Sequence, residues 1–119
     1  MAYIDGFVLP VPKKKVNEYK KMARKAGKIW LEHGAINFFE CMEDDVPMGK
    51  LTSFPKSVKL KKGEVVFFSF ITYKSRSQRD KVLKKVMSDP RLKMDIKDMP
   101  FDAKRMIWGG FKPQVQMTK

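Results

Sequence analysis

Nine consecutive residues, Val65 to Tyr73 (VVFFSFITY), constrain this chain more than any other stretch. They are β-branched and aromatic, with Lys62-Gly63 before and Lys74-Ser75 after, which is the composition and punctuation of a strand. Alternate residues of a strand point to opposite faces. Val65, Phe67, Ser69, Ile71 and Tyr73 therefore share one face, and Val66, Phe68, Phe70 and Thr72 the other. Both sets are largely apolar, so the strand has to be covered on both sides.

The flanking segments supply one cover. Tyr3 to Val11 reads as a first strand closed by Pro10 and Pro12. Lys13 to His33 has helical period, with Val16, Tyr19, Ala23, Ala26 and Trp30 in one apolar stripe and Gly34 placed to end the helix. Ala35 to Met42 reads as a second strand, and residues 46–62 as a long connection. After the central strand (64–74), Ser75 and Gln78 form a capping-box pattern for a second helix with a buried stripe of Val82, Leu83, Val86 and Met87. Asp89-Pro90 ends that helix. Residues 90–100 hold no more than a helical turn. Arg105 to Val115 is the last strand, with Gly109-Gly110 marking a bulge or a close backbone approach.

The order βαββαβ over residues 1–119 predicts a single α+β domain. It is a ferredoxin-like, four-stranded antiparallel sheet with both helices on one face. The other face stays bare. Leaving its Phe and Ile side chains in water forfeits about 2 kcal/mol each relative to burial. A second copy related by a two-fold axis is the simplest cover, so a homodimeric α+β barrel is expected.

Composition narrows the class. There are 26 Lys+Arg against 13 Asp+Glu, a formal charge of +13. Eight basic residues and one acid fall within residues 13–28, whereas residues 32–45 hold five acids and no Lys or Arg. Such a field suits anions in general, and Lys14, Lys21, Lys25 and Lys28, opposite the apolar stripe, are the candidate anion or nucleic-acid contacts. An RNA-recognition motif is disfavoured: Lys62-Gly63 is followed by Glu64-Val65-Val66, which lacks the signature's aromatic and small residues. With Cys41 the single cysteine, neither an intrachain disulfide nor zinc-ligand spacing is present. No apolar run long enough to cross a membrane and no secretory leader are read, which leads to the expectation of a cytoplasmic protein.

Five stretches together resemble one family: Tyr3 to Pro12 extended through YIDGFVLPVP, Lys50 to Pro55 (KLTSFP), Tyr73 to Arg76 (YKSR), Val86 to Leu92 (VMSDPRL) and Met99 to Phe111 (MPFDAKRMIWGGF). These are similar to the YbaA-like family of small bacterial proteins, which has no established function. The resemblance runs nearly end to end. It implies the dimeric α+β barrel shared with antibiotic-biosynthesis monooxygenases and other small enzymes and binders, and it brings no catalytic residues with it.

Candidate chemistry has to come from the residues themselves. His33 is the one histidine and the obvious general base, but the helix dipole explains a cation in the last turn without any catalytic role. Asp5 interrupts an apolar strand and needs a partner if buried; Arg105 and Tyr73 are the candidates. Asp5, Phe7, Ser69, Tyr73, Arg105 and Trp108 make up a possible small-molecule site of apolar walls with few polar groups. Glu40, Glu43, Asp44 and Asp45 read as an acidic surface turn rather than a calcium loop, and Cys41 as a small core residue. No metal site and no cofactor motif is read. The leading expectation is a small-molecule binder or cofactor-independent enzyme, whether it is an enzyme being left open. The alternatives are a basic nucleic-acid- or anion-binding protein and a protein–protein module with a packed barrel.

Overall fold

A computed structural model of the chain describes residues 2–119. Four strands form one antiparallel sheet: β1 (Tyr3–Pro12), β2 (Asn37–Met42), β3 (Glu64–Tyr73) and β4 (Ile107–Phe111), in the order β2-β3-β1-β4. Helix α1 (Val16–Glu32) connects β1 to β2, a short helix α2 (Phe54–Ser57) lies in the connection to β3, and α3 (Arg76–Met87) follows β3. This is the ferredoxin-like α+β arrangement, with β3 and β1 central.

Register decides which side chains meet. Tyr3 faces Tyr73 across β1–β3, Asp5 faces Ile71, Phe7 faces Ser69 and Leu9 faces Phe67. Phe38 and Glu40 of β2 sit beside Ile71 and Ser69, and Trp108 and Gly110 of β4 sit beside Phe7 and Asp5. All of these share the face that α1 and α3 cover. Tyr3, Ile71 and Tyr73 pack with Val82 and Val86 of α3 and with Trp30 of α1. Leu9, Val11 and Phe67 pack with Tyr19 and Ala23.

The helix ends follow from local chemistry. The amide of Ala35 bonds the Trp30 carbonyl at 3.0 Å and that of Gly34 bonds Leu31 at 3.2 Å. With Gly34 at φ 122°, this is the paired arrangement that ends a helix at a left-handed glycine. Ser75 caps α3, its hydroxyl accepting from the Gln78 amide at 3.1 Å.

Several boundaries and placements differ from expectation. Lys13–Lys15 form a separate 3-10 turn before α1, because the strand runs on through Pro12. Pairing in β2 begins at Asn37, not Ala35, since Gly34-Ala35 is occupied in ending α1. The last strand is only Ile107–Phe111: Asp102 accepts from the Lys104 amide at 3.0 Å and closes a 3-10 turn over Ala103–Arg105, while Pro113 follows the other end. Within β4 the pairing to β1 runs without a bulge, so Gly110 is a close approach instead: a Cβ there would crowd Tyr3 and Arg79. Met87 points outward, 75% exposed. Cys41 is exposed, not core, because it lies on the face of β2 away from the helices.

That second face carries Phe39, Phe68, Ile107 and Phe111, all substantially exposed. Phe39 stacks on Phe70 at 4.7 Å, and Phe54 of α2 stacks on Phe68 at 5.9 Å. Residues 46–62 thus fold back over one corner of the bare face and leave the rest open.

Candidate functional site

Between the helix-covered face of the sheet and the helices lies a cavity of about 550 Å³. Its floor is Asp5, Phe7, Leu9, Ser69 and Ile71 of the central strands, extended by Phe38 and Glu40 of β2 and Trp108 of β4. Its roof is Met22, Ala23, Ala26 and Trp30 of α1 and Leu83 of α3. The segment after α3 closes one side with Leu92, Met94 and Met99. The walls are overwhelmingly apolar, the usual character of a small-molecule site.

One polar cluster faces into it. Tyr19 Oη donates to Glu40 Oε1 at 2.7 Å, and Ser69 Oγ donates to the same oxygen. Tyr19 and Ser69 are both only 3% exposed. Glu40 Oε2 accepts no hydrogen bond from the described residues. Yet none of their side-chain polar atoms is both sealed from solvent and unpartnered, so Oε2 is accessible, on a residue that lines the cavity. Burial pushes the Glu40 carboxyl above the usual carboxylate range, against the opposing pull of the Ser69 and Tyr19 hydroxyls. Tyr19 is itself pushed far up, by burial first and by the Glu40 charge second. It therefore stays a hydrogen-bond donor. With Oε1 held as a double acceptor, Oε2 is the atom that can take up or release a proton.

Asp5 has a different role. It is 1% exposed, and Arg79 of α3 grips it, Nε lying 3.0 and 3.1 Å from its two oxygens and Nη2 3.0 Å from Oδ1. The Arg79 guanidinium also lies over the Tyr3 ring, 5.2 Å from its centroid. Asp5 therefore reaches the cavity already neutralised, whereas Glu40 forms no ion pair among the described residues.

The predicted residues divide. Asp5, Phe7, Ser69 and Trp108 line the cavity, and Phe7 and Trp108 stack 6.5 Å apart. Tyr73 is wholly buried; its hydroxyl accepts from Trp30 Nε1 at 3.2 Å behind the cavity wall, and burial followed by the Asp5 charge pushes it up. Arg105 is not Asp5's partner. It binds Glu64 through Nη2 at 2.6 Å and Asp102 through Nε at 3.0 Å, because the turn at Ala103–Arg105 sets it beside the start of β3. His33 ends α1, and its Nε2 lies 2.8 Å from Asp89 Oδ2. That contact ties the helix to the wall segment and keeps His33 outside the cavity. Lys14, Lys21, Lys25 and Lys28 are all exposed, as expected; the first two and Lys28 lie away from the cavity, and Lys25 also borders its mouth. Among the described residues no group of three or more His, Cys, Asp or Glu could hold a metal ion, and no helix is long and apolar enough to cross a membrane.

Glu40 is the residue that sequence reasoning assigned wrongly, to an acidic surface turn. Strand parity carried the signal: Phe38 and Glu40 alternate with Phe39, so Glu40 must share a face with Phe38 and cannot belong to the turn at residues 43–45.

This architecture defines the ferredoxin-like α+β class, and solved structures of that class superpose on it. A protein described as a candidate antibiotic biosynthesis monooxygenase from Nitrosomonas europaea matches with TM-score 0.61 at 12% identity, over 98% of this chain and 94% of the other. A dimeric ferredoxin-like protein from an uncultured marine organism matches with TM-score 0.53 at 10% identity, all of both chains being covered. SnoaB, a cofactor-independent oxygenase from Streptomyces nogalater, matches with TM-score 0.51 at 9% identity, over 99% and 96% of the two chains. At such identities the likeness is one of fold.

The sequence relationship is closer. Residues 2–103 match the protein family of unknown function DUF1428, and the chain belongs to that family. It is 49% identical over 112 residues to the uncharacterized protein YbaA of Escherichia coli, spanning 94% of this chain and 96% of the relative. The YbaA of Shigella flexneri is equally similar.

Proposed function

We propose that the protein is a homodimer that binds a small, largely apolar molecule in the cavity beneath α1 and α3, and that Glu40 exchanges a proton with that molecule. The observation that carries this reading is the open Oε2 of a half-buried carboxyl whose other oxygen is held by Tyr19 and Ser69. A general acid or base works best with a pKa displaced toward the working pH, and burial displaces Glu40 in that direction. Tyr19 and Ser69 hold the carboxyl in one orientation, so proton transfer needs no cofactor. The bound molecule presents a weakly acidic O–H or C–H to Oε2; the carboxylate takes that proton and later returns it. A fold-mate described as a cofactor-independent oxygenase is compatible with chemistry of this kind.

Self-association has its own support. Phe39, Phe68, Ile107 and Phe111 form an exposed apolar face that α2 covers only at one corner, and apolar patches of this kind mark interfaces. A second copy covers it by symmetry, leaving the cavity on the outer, helical side of each subunit.

Titration with phenylnaphthylamine, a neutral fluorescent apolar probe, tests the cavity. The expected result is saturable binding at one site per chain, lost in Ala26→Phe, which fills the space beneath α1, and retained in Phe111→Ser on the opposite face. Binding that survives Ala26→Phe and disappears in Phe111→Ser contradicts the assignment.

A further inference from the structure

The mouth of the cavity carries charge that the fold does not use. Three cations border it: Lys25 from α1, and Arg91 and Lys93 from the segment after α3. Arg91 is committed, its Nη2 lying 2.8 Å from Glu32 and 2.8 Å from Asp89. Lys25 and Lys93 form no ion pair among the described residues. Of the lining carboxylates, Asp5 and Asp89 are held by Arg79 and Arg91, whereas Glu40 forms no ion pair among the described residues and belongs with the hydroxyls of Tyr19 and Ser69. Five methionines, among them Met22, Met94, Met99 and Met106, and the rings of Trp30 and Phe101 are prominent in the apolar lining. Thioethers adapt to flat rings and contact them favourably.

We infer that the ligand of this cavity is a flat aromatic monoanion, its rings among the methionines and its carboxylate or sulfonate at the mouth between Lys25 and Lys93. The inference rests on the cavity being the binding site proposed above and adds the chemical class of the ligand. An anion buried whole would meet the Glu40 carboxylate in a low-dielectric space, which is unfavourable. Held at the mouth, the anion meets two free ammonium groups while the apolar body fills the interior. The polarity of the cavity thus orients the ligand: anion outward, proton-bearing edge inward toward Glu40 Oε2.

Two probes with the same aromatic body separate the terms: anilinonaphthalene sulfonate, which carries the anion, and phenylnaphthylamine, which does not. The double variant Lys25→Ala/Lys93→Ala is compared with Lys14→Ala/Lys21→Ala, which removes the same charge away from the cavity. Two exposed ion pairs of this kind are lost together, so the mouth variant is expected to weaken sulfonate binding roughly three- to thirtyfold. The neutral probe should change by less than about twofold, the scale of a surface substitution away from its contacts. The distal variant should leave both probes nearly unchanged. Equal weakening by the distal pair would assign the effect to the overall positive field and overturn the inference. So would an equal effect of the mouth variant on both probes. Either result leaves the cavity reading intact; failure of both probes to bind wild-type protein would remove that reading as well.

Discussion

Arg79 and Asp5 form a buried ion pair at the sheet–helix interface: the side chains are 11% and 1% exposed, and the guanidinium reaches both carboxylate oxygens. The pair links α3 to β1 at the edge of the cavity and explains how a carboxylate survives in an apolar strand. Removing one partner of a buried pair leaves an uncompensated charge and costs roughly 3–5 kcal/mol. Arg79→Met is expected to lower thermal stability by that order, and Asp5→Asn in the same chain to recover much of the loss. If the losses of the two single variants simply add in the double variant, the pair is not coupled as described.

Gly110 faces this pair from β4. A Cβ there would stand 2.7 Å from Arg79 Nη2 and 2.7 Å from Tyr3 Cε2, closer than atoms can pack. Gly110→Ala should therefore destabilise by about 1–3 kcal/mol, the usual cost of overpacking. Gly63→Ala is a useful contrast: nothing lies within 4 Å of its Cβ position, but its φ of 82° strains the backbone instead. Restoration of Gly110→Ala by Tyr3→Ala, measured by denaturant unfolding, identifies the steric cause.

Glu40 and Asp89 predict opposite pH dependences. Burial raises the Glu40 carboxyl, so the unfolded chain binds fewer protons than the folded one between the two pKa values. Its contribution is most favourable below the ordinary value and is lost as pH rises through the folded value. Glu40→Gln keeps an oxygen for Tyr19 and Ser69 while removing the charge. It is expected to raise the melting temperature near neutral pH, with the gain vanishing at acid pH. Asp89 is lowered, chiefly by Arg91 and then by His33. Its contribution is present above the ordinary value and is lost as pH falls, so Asp89→Asn should flatten the acid side of the stability curve.

Self-association through the bare face predicts a species near twice 13.9 kDa in light scattering at micromolar concentration. Phe68→Asp, placing a charge on that face, should shift the equilibrium to monomer. A wild-type monomer would mean that the fold-back of residues 46–62 is cover enough.

Much of this was legible in the chain. The two-sided apolar character of β3, the helical stripe of α1 and the Ser75 cap locate the elements, because each depends on short-range period and local hydrogen bonding. The sequence marks Asp5 as out of place but leaves it open between a buried pair and a solvated strand end, and its partner was not legible: Arg105 and Arg79 are equally eligible until the strand register is known. A hint was present, since Arg79, Val82 and Val86 follow one another at helical spacing and so share the stripe that faces the sheet. The end of β4 depended on a turn closed by Asp102 and pinned by Arg105 to Glu64, a contact spanning 41 positions. Glu40 was hidden by its acidic neighbours, and parity outranked their composition.

The proton-exchanging role of Glu40 is tested most directly by a carbon-13 NMR titration of its side-chain carboxyl, assigned by Glu40→Gln, with and without phenylnaphthylamine. The midpoint is expected above the ordinary 4.5 and should move higher when the probe replaces water beside Oε2, since further desolvation disfavours the charged form. A midpoint at or below the ordinary value, unmoved by saturating probe, would contradict the account.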